Sequence, residues 1–203
     1  MNPASDEYTT INTGVQVESK IRGSRFIASA MPSITTSEAE EFVARLRKQY
    51  HDATHNCYAY RCGTDGSRYR FNDDGEPAST AGKPILAAID RAGLTDVCVV
   101  VTRYFGGTKL GVGGLIRAYG NAAEQCLASA EHVTKYLLDS FRVSFPHSHI
   151  SNVMHVTSKC GARIAETVYD EEVHLMVEIR KSKSEELRSL LMNHTSGNIR
   201  FMP

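Results

Sequence analysis

The residues best suited to chemistry lie between positions 73 and 120, where acids, bases and glycines occur together. Three carboxylates stand at Asp73, Asp74 and Glu76, and nine of the chain's 15 glycines lie between Gly75 and Gly120. Glycine is favoured where the backbone takes a positive φ or approaches another group closely, and each glycine loses extra entropy on folding. The segment therefore predicts a surface built partly from backbone, suited to an anionic or peptide-like partner.

The glycine loop, residues 106–114 with the sequence GGTKLGVGG, precedes a predicted helix. Amides at a helix N-terminus attract phosphate and carboxylate groups, and Lys109 and Arg117 would add positive charge. The loop matches neither of the common glycine patterns for nucleotide binding. Two interpretations remain open: a surface that binds an anion or a peptide backbone, and a tight turn that packs against a neighbouring hairpin.

The acidic turn, residues 73–76, allows two interpretations as well. Its carboxylates could hold Mg²⁺ or supply a general base, but no His/Glu or Ser/His set with catalytic spacing accompanies them. Short acidic side chains routinely accept hydrogen bonds from nearby amides, which favours a turn that caps the next helix. One of these acids is expected to pair with Arg103.

A metal site is the weaker interpretation of the histidines and cysteines. His55 and Cys57 point to the same side of a predicted strand, but their spacing matches no standard zinc pattern. We predict no catalytic residue, no metal and no cofactor. The predicted binding residues are His55, Asp73, Asp74, Glu76, Arg103, Tyr104, Gly106, Gly107, Lys109, Gly111, Gly113, Gly114 and Arg117.

Composition indicates an ordinary globular protein. The 203 residues carry 23 basic and 23 acidic side chains, a balance that lacks the global positive field of a nonspecific nucleic-acid binder. No signal peptide and no membrane-spanning apolar run is found, so a cytoplasmic protein is expected. Five scattered cysteines fit reduced thiols better than a disulfide framework.

The elements that must position these residues follow from periodicity and from helix-end signals. The sequence Ser37 to Glu40 predicts a capping box that opens a helix to about Tyr50. The run Val97 to Thr102 is typical of a buried central strand. The other predicted elements are strands at 15–18 and 25–30, a hairpin of strands 56–62 and 67–71, a helix that ends at Gly93, and a helix from about 113 to 130.

A second domain is predicted after residue 133, where the glycines thin out. Strands at 136–145, 163–169, 173–179 and 198–201, with two intervening helices, give the order βαββαβ of a ferredoxin-like fold. The predicted domains are therefore 1–133 and 134–203. Two interpretations are open for the basic residues of this domain: an edge that binds nucleic acid, with Tyr136 and Tyr169 for stacking, and a solvated face of a small sheet. These basic residues are Lys159, Arg163, Arg180, Lys181 and Lys183.

Three stretches together resemble the Impact family of translational regulators, in particular its bacterial, YigZ-like members. They are ATHNCYAYR at 53–61, DDGEP at 73–77 and TRYFGGTKLG at 102–111. The resemblance implies an α+β protein, with an N-terminal α/β domain like the second domain of the small-subunit ribosomal protein S5. It also implies a C-terminal domain similar to the fifth domain of elongation factor G. The sequence departs from the bacterial pattern at Ala78-Ser79-Thr80 and at Val112.

The resemblance also carries functional expectations. Eukaryotic members compete for the ribosome-associated activator of a starvation kinase, and nucleic-acid or ribosome binding is the usual proposal for bacterial members. We therefore expect a non-enzymatic cytosolic binding protein that regulates translation, in a stress response, through RNA, the ribosome or a translation-associated protein. One alternative is a metal-dependent enzyme that acts on a small phosphorylated or nucleotide substrate, and another is a homo-oligomerising module. If the binding interpretation holds, the acidic turn and the glycine loop should share one face.

Overall fold

The computed structural model describes residues 6–202, which divide into two compact units. The first unit runs from Tyr8 to Lys135, and the second comprises Tyr136 onwards together with Asp6 and Glu7. Whether the halves fold separately stays a prediction. None of the helices within residues 6–202 is long and apolar enough to cross a membrane.

The first unit is built on a five-stranded antiparallel sheet with helices on both faces. In chain order its elements are β1 Glu7–Ile11, β2 Val15–Ile21, β3 Ser24–Pro32, α1 Thr36–Gln49, β4 His55–Cys62, β5 Arg68–Asn72, α2 Gly82–Arg91, β6 Val97–Tyr104, α3 Val112–Ser129 and β7 His132–Tyr136. The strand order is β2-β3-β6-β4-β5, and β1 pairs separately with β7. The predicted hairpin of β4 and β5 is confirmed.

The central strand β6 is buried on both faces, as its β-branched run predicted. Val99 and Val101 pack in the core that also contains α2 and α3. Cys98 and Val100 point the other way, into the smaller core beneath α1. Because side chains alternate along a strand, a strand covered on both faces must be apolar throughout.

The start of α1 differs from the prediction by two residues. The N-cap is Thr35, whose hydroxyl accepts a hydrogen bond from the Glu38 amide at 3.2 Å, and the Glu38 carboxylate accepts one from the Ile34 amide at 2.8 Å. The predicted box beginning at Ser37 is wrong. Two overlapping Ser/Thr-x-x-Glu matches occur here, and only packing of the helix selects between them.

The second unit has the predicted ferredoxin-like fold. Its elements are β8 Leu138–Phe145, α4 Ile150–Lys159, β9 Arg163–Tyr169, β10 Val173–Arg180, α5 Ser184–His194 and β11 Arg200–Met202. The sheet order is β11-β8-β10-β9, and both helices cover the same core. Its predicted first strand is shorter, because Tyr136 ends β7 and the Leu137 amide instead donates to the Asp6 carbonyl at 2.7 Å.

Candidate functional site

Asp73 caps helix α2. Its carboxylate accepts hydrogen bonds from the amides of Ser79, Ala81 and Gly82 at 2.8, 2.9 and 2.8 Å. The N-cap residue Ala81 offers no side-chain acceptor of its own, so Asp73 supplies the cap from eight residues away. A carboxylate is also the charge that a helix N-terminus favours. The capping interpretation of the acidic turn is confirmed.

Asp74 is held by a different set of donors. Its carboxylate accepts from Arg47 at 2.6 Å and from the Asn56 amide at 2.7 Å, and its carbonyl accepts from His55 Nδ1 at 2.8 Å. Both aspartates therefore face N–H donors that a metal ion would have to displace. Within residues 6–202, no three or more His, Cys, Asp or Glu side chains are grouped in a way that could hold a metal.

Glu76 forms a buried ion pair with Arg103, as the sequence predicted for one of these acids. Glu76 Oε1 accepts from Arg103 Nη1 at 2.6 Å and from the Tyr119 hydroxyl at 2.7 Å, and His55 Nε2 lies 3.8 Å away. The two paired side chains are only 4% and 6% exposed. Losing one partner would leave an uncompensated buried charge, at a typical cost of about 3–5 kcal/mol.

Arg103 joins the acidic turn to the glycine loop. Its Nη2 donates to Ser24 Oγ at 3.3 Å, and the same hydroxyl oxygen accepts from the Gly106 amide at 3.2 Å. The guanidinium lies 5.5 Å from the centre of the Phe105 ring. A pocket of about 390 Å³ is lined by Glu76 and Arg103 together with residues of the loop and of α3. The expectation that turn and loop share one face is confirmed.

The loop glycines serve different purposes. At Gly106 an added Cβ would lie 1.9 Å from the carbonyl carbon of Gly23, so this glycine packs against the β2–β3 turn. Gly107 and Gly111 have φ values of +84° and +70° with open space around them. Gly113 has neither a positive φ nor a close neighbour, and its nearest contact is Arg117 at 3.7 Å. Packing therefore explains Gly106 but gives no reason for Gly113.

The N-terminus of α3 has no side-chain cap. Its N-cap, Gly111, provides no side-chain hydrogen bond, and the first turn contains no acid. Lys109 and Arg117 are exposed, and neither makes an ion pair or hydrogen bond with another residue in the 6–202 range. Free amides, the helix dipole and two cations all favour an anion here.

The residues that line this pocket include neither Tyr104 nor a cysteine. The Tyr104 hydroxyl donates to Asp52 at 2.7 Å, and that hydrogen bond raises the tyrosine pKa. The Cys57 thiol donates to the Asp73 carbonyl at 3.1 Å, and burial raises its pKa well above the usual range. Burial likewise raises the pKa of Cys62 to about 11. Both thiols stay protonated at neutral pH, so neither is an activated nucleophile.

The basic residues predicted in the second unit are not equivalent. Arg180 is engaged by Asp6 at 2.7 Å and Glu7 at 2.8 Å, and it lies 3.8 Å from the centre of the Tyr136 ring. Arg180 therefore forms ion pairs within its own unit and is not an unpaired surface base. Arg163 is exposed and lies 3.9 Å from Glu178. The other predicted bases, Lys159, Lys181 and Lys183, are exposed as well.

Sequence reasoning missed an apolar patch beside the loop. Phe105, Val112 and Ile116 are 46%, 60% and 41% exposed. Val112 and Ile116 are four residues apart on α3 and therefore share one helix face. A helical projection of residues 112–129 places both of them among the buried residues of α3, so periodicity alone does not reveal that they are exposed.

Comparison with known proteins places the chain among relatives that cover nearly its whole length. The Impact N-terminal domain family matches residues 22–127, and a domain family of unknown function matches residues 143–198. The chain is 35% identical to the IMPACT family member YvyE of Bacillus subtilis, over 94% of this chain and 88% of that protein. It is 32% identical to the IMPACT family member YigZ of Escherichia coli, over 93% of each.

The chain is also similar to eukaryotic proteins and to a protein of known structure. Protein IMPACT of Bos taurus is 33% identical over 52% of this chain and 34% of its own length. A crystal structure described as that of a hypothetical protein superposes with a TM-score of 0.72 at 31% identity and covers 97% of both chains. The chain belongs to the IMPACT family.

Proposed function

We propose that this chain is a non-enzymatic cytoplasmic binding protein that takes part in the regulation of translation. It acts by contacting the ribosome, RNA or a translation-associated protein. Eukaryotic IMPACT proteins are known as translation regulators, and the family relationship supports the same broad role here. The observation that carries the proposal is the N-terminus of α3, which has no side-chain cap, together with Lys109 and Arg117, which find no partner in the described part of the chain.

The charges of this face suit an anionic partner. The Glu76–Arg103 pair is neutral as a whole and buried, so it forms the wall of the pocket without setting its net charge. The exposed polar groups beside it are the Lys109 side chain and backbone amides of the glycine loop. A partner that presents phosphates or carboxylates would gain charge-assisted hydrogen bonds that water provides less well.

The metal-dependent alternative lacks a comparable observation. It requires Asp73 or Asp74 to bind a cation while Lys109 and Arg117 neutralise a phosphate. The first carboxylate caps α2, and the second binds a guanidinium and an amide. Neither offers the oxygen-rich, solvent-facing set that Mg²⁺ prefers.

The experiment is a crosslinking pull-down from an extract of the cells in which the protein occurs, with and without nuclease. The wild type is compared with Lys109→Ala/Arg117→Ala and with the control Lys20→Ala/Lys48→Ala, which removes two exposed bases from β2 and α1. We expect the first variant to lose translation components and the control to retain them. Melting temperatures should barely change, because exposed charges contribute about 0–1 kcal/mol to folding. Equal recovery by all three proteins would refute the proposal.

A further inference from the structure

A groove of about 480 Å³ lies between the outer surfaces of α2 and α3. Pro84 and Ala87 of α2 and Ile116 and Gly120 of α3 line it with apolar groups. Ile116, in the second turn of α3, is 41% exposed. Pro84 and Gly120 are buried, so the apolar surface in contact with water comes mainly from Ile116 and the half-buried Ala87, and a binding partner would gain by covering it.

The charges that line this groove have one sign. Lys83, Arg91 and Arg117 are basic, and no carboxylate is among the lining residues. Arg91 is paired with Glu124 at one end. Lys83 and Arg117 make no ion pair or hydrogen bond with any other residue that the structure describes. An apolar floor between unpaired cations is complementary to a partner with apolar and acidic groups side by side.

Gly120 contributes to the depth of the groove without being required by the fold. Its backbone is helical, and an added Cβ would meet Pro84 Cβ at 3.8 Å, an ordinary contact distance. Alanine at this interior helix position would be intrinsically more favourable than glycine. The fold therefore does not require glycine at this position, whereas a side chain here would narrow the groove.

We propose that the groove binds an acidic amphipathic helix of a protein partner. This inference rests on the proposed function and names the chemistry of its partner. With ten residues, α2 is about 15 Å long, which matches nearly three turns of a docked helix. Apolar side chains at i, i+3 or i+4 and i+7 would contact the floor, and flanking carboxylates would meet Lys83 and Arg117.

The lining residues favour a helix over RNA. Single-stranded RNA is recognised by stacking of its bases on aromatic or guanidinium planes combined with phosphate contacts. None of the residues that line the groove is aromatic, and of its two guanidinium groups Arg91 is held by Glu124, which leaves only that of Arg117 for a base to stack on. The exposed aliphatic Ile116 would contribute nothing to phosphate binding but would pack well against leucine-type side chains.

The test uses the full-length chain and two kinds of probe. Displayed random peptides of about 16 residues, long enough to form a helix on docking, are selected on the wild type. The best binders are labelled, and their affinities are measured by fluorescence anisotropy beside those of a random single-stranded RNA pool. The variants are Lys83→Glu/Arg117→Glu, Ile116→Ser and Gly120→Ala, and the matched control is Lys20→Glu on strand β2.

We expect the selected peptides to be rich in Asp and Glu with helical spacing of their apolar residues. Charge reversal and Ile116→Ser should each weaken their binding about tenfold, and Lys20→Glu should leave it unchanged. Gly120→Ala should weaken binding several-fold while raising the melting temperature, a combination that misfolding cannot produce.

Two results would overturn the inference in different ways. If Ile116→Ser and Gly120→Ala leave binding intact while charge reversal abolishes binding to RNA, the helix inference fails and the basic binding face stands. If selected peptides lack an acidic excess, or bind all variants alike, the groove is not their site. If the Lys109→Ala/Arg117→Ala protein also keeps its cellular partners, the proposed function fails with it.

Discussion

Removing the charge of Glu76 should destabilise the first unit severely. In Glu76→Gln the side chain keeps its size, but Arg103 loses the one ion-pair partner that it has within residues 6–202, in a site where its own side chain is 6% exposed. Arg103 Nε already lacks a hydrogen-bond partner among the described residues, so no spare acceptor is at hand. Removing one partner of a buried pair costs about 3–5 kcal/mol, a large part of a typical domain stability of about 5–15 kcal/mol.

The assay is urea unfolding of the full chain followed by circular dichroism, with hydrogen exchange of strand β6 to assign the transition to the first unit. The control is Glu124→Gln, which removes the acid of the surface pair with Arg91, where the side chains are 44% and 59% exposed. That change should cost at most about 1 kcal/mol. In Glu76→Gln/Arg103→Met the buried charge is gone, so the loss should be smaller than the sum of the two single losses.

The reasoning would be refuted by a Glu76→Gln loss no larger than that of Glu124→Gln. The reasoning would also be refuted if the stability loss of the double variant equalled the sum of the two single losses. That result would mean that Glu76 and Arg103 contribute to stability independently.

Three further predictions concern Asp73, Asp6 and the cysteines. Asp73→Ala should cost about 1–2 kcal/mol by uncapping α2, measured by urea unfolding, and a loss no greater than that of Glu124→Gln would contradict the capping role. Hydrogen bonds from Arg180 and Ser182 hold the pKa of Asp6 below its ordinary 3.8, so Asp6 stabilises the second unit above that pH and progressively loses this effect as pH falls below it. The difference in urea midpoint between wild type and Asp6→Asn should therefore shrink between pH 4 and pH 2, and a constant difference would contradict this. With iodoacetamide the partly exposed Cys160 should react first, whereas rapid labelling of Cys57, Cys62, Cys98 or Cys126 in the native protein would show that their burial is wrong.

Much of the fold followed from local sequence patterns. The β-branched run at residues 97–102 identified the central strand, because a strand covered on both faces must be apolar at every position. The order of strands and helices after residue 133 identified the ferredoxin-like fold. Gly93, at φ +66° just after α2, marked the end of that helix. Such signals depend on neighbours within a few residues, which the sequence displays directly.

The roles of the acidic turn were only partly readable. The sequence predicted a cap for the following helix and a partner for Arg103, and both exist. It did not assign Asp73 to the cap, Asp74 to Arg47 and Glu76 to Arg103. Three carboxylates within four residues are chemically alike. The direction that each side chain takes depends on backbone angles such as the φ of +44° at Asp74.

Tertiary structure alone decided which charges remain available for binding. From the sequence Arg180 resembles an ordinary surface base, yet its guanidinium pairs with Asp6, a residue 174 positions away. Lys83 and Arg117 have no ion-pair partner within residues 6–202, and the groove between them exists only because α2 and α3 pack side by side on one sheet face. A sequence states which charges a chain carries, but their pairing depends on distances of a few ångströms between residues far apart in the chain, and only packing sets those distances.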